Sequence, residues 1–204
     1  GVFVLGDCTG HGVPGAFITL VLASATEQVL RETADWDPAE FLMALDAQVR
    51  RRLRQDRPPG QGLESDDGLD AAILVWDSCR HRLVFASVGG LPLLRLNPDG
   101  RVDSIPGARG HLGYQSLPSP ARITSQSIEV VPGTLFYLMT DGVPDQMGGQ
   151  PRRLLGRRAV RHWLAAHADL AVAEQVQELC RMLAEYRNGE PRRDDMTFIA
   201  VRPW

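Results

Sequence analysis

Three acidic positions stand at the ends of apolar runs. Asp7 follows Val2-Phe3-Val4-Leu5, Asp141 follows the run 134–139, and Asp194-Asp195 lead into Met196-Thr197-Phe198-Ile199-Ala200-Val201. The first two acids come after their apolar runs and the third pair comes before its run. A last strand antiparallel to the other two would bring all of them to the same edge of the sheets. Carboxylates gathered in that way repel one another unless a cation lies between them, and an oxygen-only donor set suits Mg²⁺ or Mn²⁺ rather than zinc. Two such ions clamp a phosphate and lower the pKa of a bound water.

The segment that carries Asp7 reads Gly6-Asp7-Cys8-Thr9-Gly10-His11-Gly12-Val13-Pro14-Gly15. This is a strand end, a glycine-rich loop and a helix start. Gly10 and Gly12 let backbone approach a ligand closely, and the amides of a helix N-terminus favour an anion. A phosphate-binding P-loop is excluded, because all 22 basic residues are Arg and that motif requires Lys. Taken alone, the loop reads first as a glycine turn feeding a helix, with Asp7 as a local hydrogen-bond acceptor.

Helix periodicity runs from Pro14 to about Glu32, with Ile18, Val21, Leu22, Ala25 and Val29 on one stripe and Phe17 and Leu20 beside it. That pattern predicts a helix buried on more than one side. Asp37-Pro38-Ala39-Glu40 supplies an N-cap, an N1 proline and an N3 glutamate for a second helix with Leu42, Leu45, Val49 and Leu53 on its stripe. Its closing arginines, Arg50 to Arg52 and Arg54, suit a helix C-terminus; docking of an acidic partner is the alternative. Residues 55–68 read as a polar, mobile loop. Leu69 to Trp76, Arg82 to Val88 and Pro92 to Leu96 read as an antiparallel meander, followed by a short strand from Arg101 to Ile105. Ile128 to Val131 and Leu135 to Met139 read as a hairpin around Pro132-Gly133. Two amphipathic helices follow, Leu154 to about His167 and Ala171 to about Arg187, with His167 and Cys180 expected in the core. Strands in runs together with helix pairs argue an α+β fold.

With 204 residues, 44% of them hydrophobic, the chain is long enough for one sizeable core. A net charge of −3 argues against nucleic-acid binding. The scattered cysteines Cys8, Cys79 and Cys180 fit a reducing cytoplasm, and no uninterrupted apolar run near 18 residues or signal peptide stands out. No direct membrane contact is expected of this domain.

The segments Asp7-Cys8-Thr9-Gly10-His11-Gly12, Thr140-Asp141-Gly142-Val143-Pro144-Asp145-Gln146 and Asp194-Asp195-Met196-Thr197 resemble, in order, three signature segments of the metal-dependent PPM (PP2C-like) serine/threonine phosphatases, closest to the bacterial SpoIIE and RsbU branch. The resemblance spans essentially the whole chain. It implies a PP2C-like antiparallel β-sandwich flanked by helices, in α/β/β/α layers, as one domain over residues 1–204. It also implies two Mn²⁺ or Mg²⁺ ions. Asp7 would bridge them, the Cys8 carbonyl would serve one, and Asp141 and Asp194 would hold the other. Asp195 stands beside a ligand, either binding or orienting waters, and Asp145 is a candidate for a third ion. The nucleophile implied is a metal-bridging hydroxide, in keeping with the absence of a Cys-x5-Arg motif. His11 is implied as general acid or as a loop-orienting residue. Gly10, Gly12 and Arg109 are candidate substrate contacts, a plain surface role being the alternative for Arg109.

Two features depart from the family pattern. Relatives carry a Gly-Gly-Asp motif on strands ahead of the Asp7 segment, so the chain is expected to be the C-terminal, cytoplasmic output part of a longer sensor, either free or membrane-anchored, without the family's first strands. Where relatives often place a His, this sequence reads Gly89-Gly90-Leu91-Pro92. The implied substrate is a phosphorylated anti-sigma-antagonist-like (STAS) protein. The alternatives are a catalytically silent pseudophosphatase that grips a partner and, more remotely, a phosphodiesterase. The apolar first helix is a candidate homodimer face, with core burial the simpler account.

Overall fold

Strand β1 (Val2–Cys8) alternates its side chains across a sheet, and the apolar residues that follow the glycine loop wind into α1 (Gly12–Glu32). The computed structural model describes residues 1–10, 12–32, 37–57, 66–117, 120 and 122–203. The backbone forms two units, Gly1–Leu91 with Pro106–Glu129 and Pro92–Ile105 with Val130–Trp204.

In the first unit β1, β2 (Leu69–Asp77), β3 (Arg82–Val88) and β6 (Gln126–Glu129) form an antiparallel sheet in the order β1-β2-β3-β6. α1 and α2 (Pro38–Leu53) cover one face, packing Leu22, Ala25, Phe41, Leu45 and Val49 on Ala71, Ile73 and Val88. α2 starts as expected: the Asp37 carboxylate accepts from the Ala39 and Glu40 amides at 2.9 and 3.0 Å. Burial raises the pKa of Asp37, but these bonds, with one from Ser125, outweigh that and hold its carboxyl below the ordinary value. Arg50 pairs with Asp46 at 3.0 Å inside the unit, and Arg52 bonds Ser24 and Gln28 of α1, so these two arginines tie structure together.

α1 corrects the expectation of burial on more than one side. Its stripe Ile18, Leu22, Ala25 and Val29 is buried, whereas Val13, Phe17 and Leu20 are 71%, 64% and 66% exposed. Among the described residues it is also the one helix long and apolar enough to cross a membrane by length and composition, although its inner stripe belongs to a core. The polar loop expected over 55–68 is described only at its flanks; residues 58–65 lie outside the described residues. Its first residue is buried, the Gln55 amide bonding Asp67 and Gly113.

The second unit has the sheet order β10-β7-β4-β5, from β4 (Leu93–Leu96), β5 (Val102–Ile105), β7 (Leu135–Met139) and β10 (Phe198–Val201). A small ribbon pairs β8 (Met147–Gly148) with β9 (Arg153–Leu154). α3 (Arg157–Ala166) and α4 (Val172–Arg187) pack on the sheet through Val160, Leu164 and Leu183. Tyr137 donates to the buried Gln175 Oε1 at 2.9 Å.

Two strand connections differ from the sequence expectation. β4 does not continue the meander but pairs with β5 and β7, because the chain turns at Gly89, φ 85°, before Leu91. β6 and β7 are not a hairpin: β6 pairs with β3, and β7 with β4 and β10. Turn residues mark a reversal without fixing the sheet that the next strand joins. Cys180 is exposed rather than in the core, and His167 is half-buried, stacked on Trp163 at 4.2 Å. The fully buried positions of α4 are Gln175 and Leu179, a stripe narrower than periodicity suggested.

Candidate functional site

In the first unit, Asp7 lies directly across from Asp70 of β2, so the two carboxylates share one face of the sheet. Alternation puts that face opposite Ala71 and Ile73, hence away from α1 and α2. Cys8 takes the other face, packed against the helix-side core. Burial pushes its thiol pKa up, with Asp7 adding to the rise and a hydrogen bond to Thr19 opposing it. The thiol is thus held on the helix side of the sheet, on the face opposite Asp7.

Gly10 and Gly12 have φ of 82° and 68° with open space where a Cβ would stand. The loop folds back on its helix, since a Cβ on Gly15 would come within 2.7 Å of the Gly10 carbonyl oxygen. Thr9 anchors it: its amide donates to the Gly68 carbonyl at 2.9 Å, the Gly68 amide donates to Thr9 Oγ1 at 3.1 Å, and Thr9 Oγ1 also bonds Tyr114 Oη. His11 lies outside the described residues. Arg109 is exposed.

Asp70 and His111 were not singled out by sequence reasoning as a pair. The Asp70 carboxylate accepts from the Gly90 amide at 2.7 Å, and its other oxygen lies 2.6 Å from His111 Nδ1. Gly89 makes the room, since a Cβ there would stand 2.0 Å from that carboxylate. The glycine pair is thus the seat of Asp70, and His111 reaches it from a different loop. The available signal was an acid inside a strand, Leu69-Asp70-Ala71, next to a turn with too little side chain.

In the second unit the antiparallel pairing of β10 with β7, Phe198 opposite Met139, brings the Asp141 turn and the Asp194-Asp195 segment to one sheet edge. The buried Thr140 locks them together. Its amide donates to the Thr197 carbonyl at 3.1 Å, its hydroxyl donates to the Asp195 carbonyl at 3.0 Å, and that hydroxyl accepts from the Thr197 amide at 2.9 Å. Gly142 lies so close that a Cβ would fall 2.3 Å from the Asp195 carbonyl oxygen. Asp141, Asp145, Asp194 and Asp195 are all exposed; the Asp145 amide bonds the Asp141 carbonyl, and Asp194 Oδ1 accepts from the Asp195 amide. Among the described residues no three His, Cys, Asp or Glu side chains form a ready metal cluster. The donor chemistry at this edge is nonetheless carboxylate oxygen alone, on a fixed backbone, which fits a hard divalent cation that keeps much of its water.

A family model, stage II sporulation protein E (SpoIIE), matches residues 2–203. Among solved structures, the SiaA-PP2C domain of Pseudomonas aeruginosa is 31% identical, with 98% of this chain and 74% of that one covered at a TM-score of 0.82. The PP2C phosphatase domain of SpoIIE with a fragment of its regulatory domain, from Bacillus subtilis, is 17% identical over 98% of this chain and 54% of that one, TM-score 0.69. RsbX in complex with magnesium is 17% identical over 98% of this chain and 79% of that one, TM-score 0.62. A search of curated protein sequences found no match.

Proposed function

Because the chain belongs to the SpoIIE family of PP2C-like phosphatase domains, we propose that it hydrolyses phosphoserine or phosphothreonine on a small regulatory protein of the STAS, anti-sigma-antagonist-like kind. The observation that carries this reading is the interlock at Thr140, which fixes two exposed acidic segments against each other at one edge. Residues kept only to grip a partner would not require like charges in such proximity.

Asp7, the Cys8 carbonyl, Asp141 and Asp194 would hold two Mn²⁺ or Mg²⁺ ions, with Asp195 beside them and Asp145 available to a third. Such ions supply positive charge for phosphate oxygens and lower the pKa of water. Gly10 and Gly12 leave backbone amides accessible to a phosphate, with Arg109 as a further contact. His11 is the candidate proton donor to the departing serine or threonine oxygen. The domain would serve as the cytoplasmic output of a longer sensor. The exposed apolar face of α1, with Val13, Phe17 and Leu20, would meet a second copy or the sensor's remainder.

The test is phosphate release from a phosphoserine protein with Mn²⁺, with chelator, and with Asp141→Ala. Release that requires metal and disappears in the folded variant supports the assignment. Equal rates in parent and variant refute the site.

A further inference from the structure

One imidazole of the first unit is held in the manner of a proton-transfer group. His111 Nδ1 lies 2.6 Å from Asp70 Oδ1, and the other Asp70 oxygen accepts from the Gly90 amide at 2.7 Å, so each oxygen of the carboxylate is engaged. Tyr114 flanks the ring on another side, the two meeting edge to face with centroids 5.8 Å apart. The His111 side chain is nonetheless 47% exposed, and its Nε2 takes part in no hydrogen bond among the described residues.

The backbone that carries His111 is fixed on both sides of it. Leu112 exchanges amide and carbonyl bonds with Leu69 of β2, each 2.9 Å, and the Gly113 amide donates to the buried Asp46 carboxylate at 2.7 Å. Ahead of it, the Ala108 carbonyl accepts from the Gly89 amide at 3.1 Å. The same ties lead to Asp7. Asp70 is its direct cross-strand neighbour on one sheet face, and Thr9, two residues beyond Asp7, bonds Tyr114 Oη. Directly opposed residues have Cβ atoms about 4.5–5.5 Å apart, so His111 is one carboxylate removed from Asp7.

A carboxylate at Nδ1 sets the orientation of a histidine and leaves Nε2 as the atom that gives or takes a proton. A half-exposed pair of this kind adds little to stability, so an oriented Nε2 is what the seat provides. We infer that His111 protonates the departing serine or threonine oxygen, with Asp70 as its positioning residue. The inference rests on the phosphatase reading, and it gives to His111 the role for which His11 is the candidate by resemblance. As the P–O bond breaks, its electron pair stays on the departing oxygen and the Nε2 proton joins it. A water oxygen bonds phosphorus, the proton that this water releases returns to Nε2 through solvent, and the ring ends as it began.

The experiment compares p-nitrophenyl phosphate with phenyl phosphate, both with Mn²⁺, in the parent, His111→Ala, His111→Gln, Asp70→Asn and His11→Ala. The two esters are alike in shape, but phenolate leaves far less readily than nitrophenolate and depends more on a proton donor. His111→Ala and His111→Gln should lower kcat for phenyl phosphate by about tenfold or more and leave that for the nitrophenyl ester within about twofold of the parent. Asp70→Asn should show the same split in weaker form, and His11→Ala should show none. A merely structural role would lower both rates alike, and circular dichroism verifies the fold of each variant. Equal changes for the two esters in the folded His111 variants, or a split that follows His11→Ala instead, overturn the assignment and leave the phosphatase standing. A parent that hydrolyses neither ester removes the phosphatase reading and the assignment with it.

Discussion

Substitution of Gly142 by Ala probes the spacing of the acidic segments without touching a charge. The new Cβ would stand 2.3 Å from the Asp195 carbonyl oxygen and 3.0 Å from its carbon, where ordinary contact begins at 3.4 Å. The two segments must therefore part by about 1.1 Å. The obstacle is backbone, held by the Thr140 hydroxyl at 3.0 Å, so no side chain can swing aside to relieve it. Gly142 is not among the glycines with positive φ, which makes the effect steric rather than conformational. Overpacking of this kind costs about 1–3 kcal/mol, and in a domain of this size each kcal/mol lowers Tm by roughly 2–4 °C. A displacement near 1 Å at a reacting centre costs on the order of a hundredfold in rate. Thermal unfolding followed by circular dichroism, alongside Mn²⁺-dependent phosphate release, should show a Tm lowered by several degrees and turnover lowered about a hundredfold. A folded Gly142→Ala protein with turnover and metal affinity within about twofold of the parent would refute the claim that this spacing sets the site.

Gly89→Ala should expel the Asp70 carboxylate from the Gly90 amide and His111, because its Cβ would sit 2.0 Å from that carboxylate at φ 85°; the loss appears as a lower Tm and a shifted His111 ring resonance, and an unchanged resonance contradicts the seat. Asp37→Ala should cost about 1 kcal/mol at neutral pH through the lost N-cap. Since the Asp37 carboxyl is held below its usual value, that contribution is present above the ordinary carboxylate range and fades as pH falls through the lowered value, so urea denaturation of parent and variant should converge in acid. Sedimentation of the parent should show mass rising with concentration and Phe17→Glu should abolish the rise; a parent that stays monomeric removes the α1 face as a dimer interface.

Local signals carried well into the structure. Asp37-Pro38 with Glu40 opened α2 where expected, and the apolar runs at 2–5, 69–76, 82–88 and 135–139 all became strands. The antiparallel relation of β10 to β7 was also within reach, because the acids lie after one run and before the other. Sheet membership was not, since a turn such as Gly89-Gly90 or Pro132-Gly133 reverses the chain equally well within a sheet or between sheets. Cys180 misled for a related reason: its stripe position is apolar by spacing, but burial on α4 depends on what packs there, and Gln175 took the interior by bonding Tyr137. The Asp70–His111 pair joins residues 41 apart in sequence, and no spacing rule reaches it.

The exposure of Asp141, Asp194 and Asp195 contrasts with the burial of the threonine between them, and this contrast separates what folds the site from what it does. Thr140 is 3% exposed and its hydroxyl is spent on the Asp195 carbonyl and the Thr197 amide, so Thr140→Ala removes two part-buried hydrogen bonds, each worth about 0.5–1.5 kcal/mol. Asp194 and Asp195 are exposed, adjacent like charges that contribute little packing. Their removal should leave stability unchanged or raise it slightly in the absence of metal. With a divalent ion present the sign reverses, because the parent alone gains the binding term RT ln(1 + [M]/Kd). Thermal unfolding of parent, Thr140→Ala and Asp194→Ala, each with and without Mn²⁺, therefore reads the two roles apart. A loss of stability in metal-free Asp194→Ala as large as in Thr140→Ala would place the aspartate among the residues that build the fold.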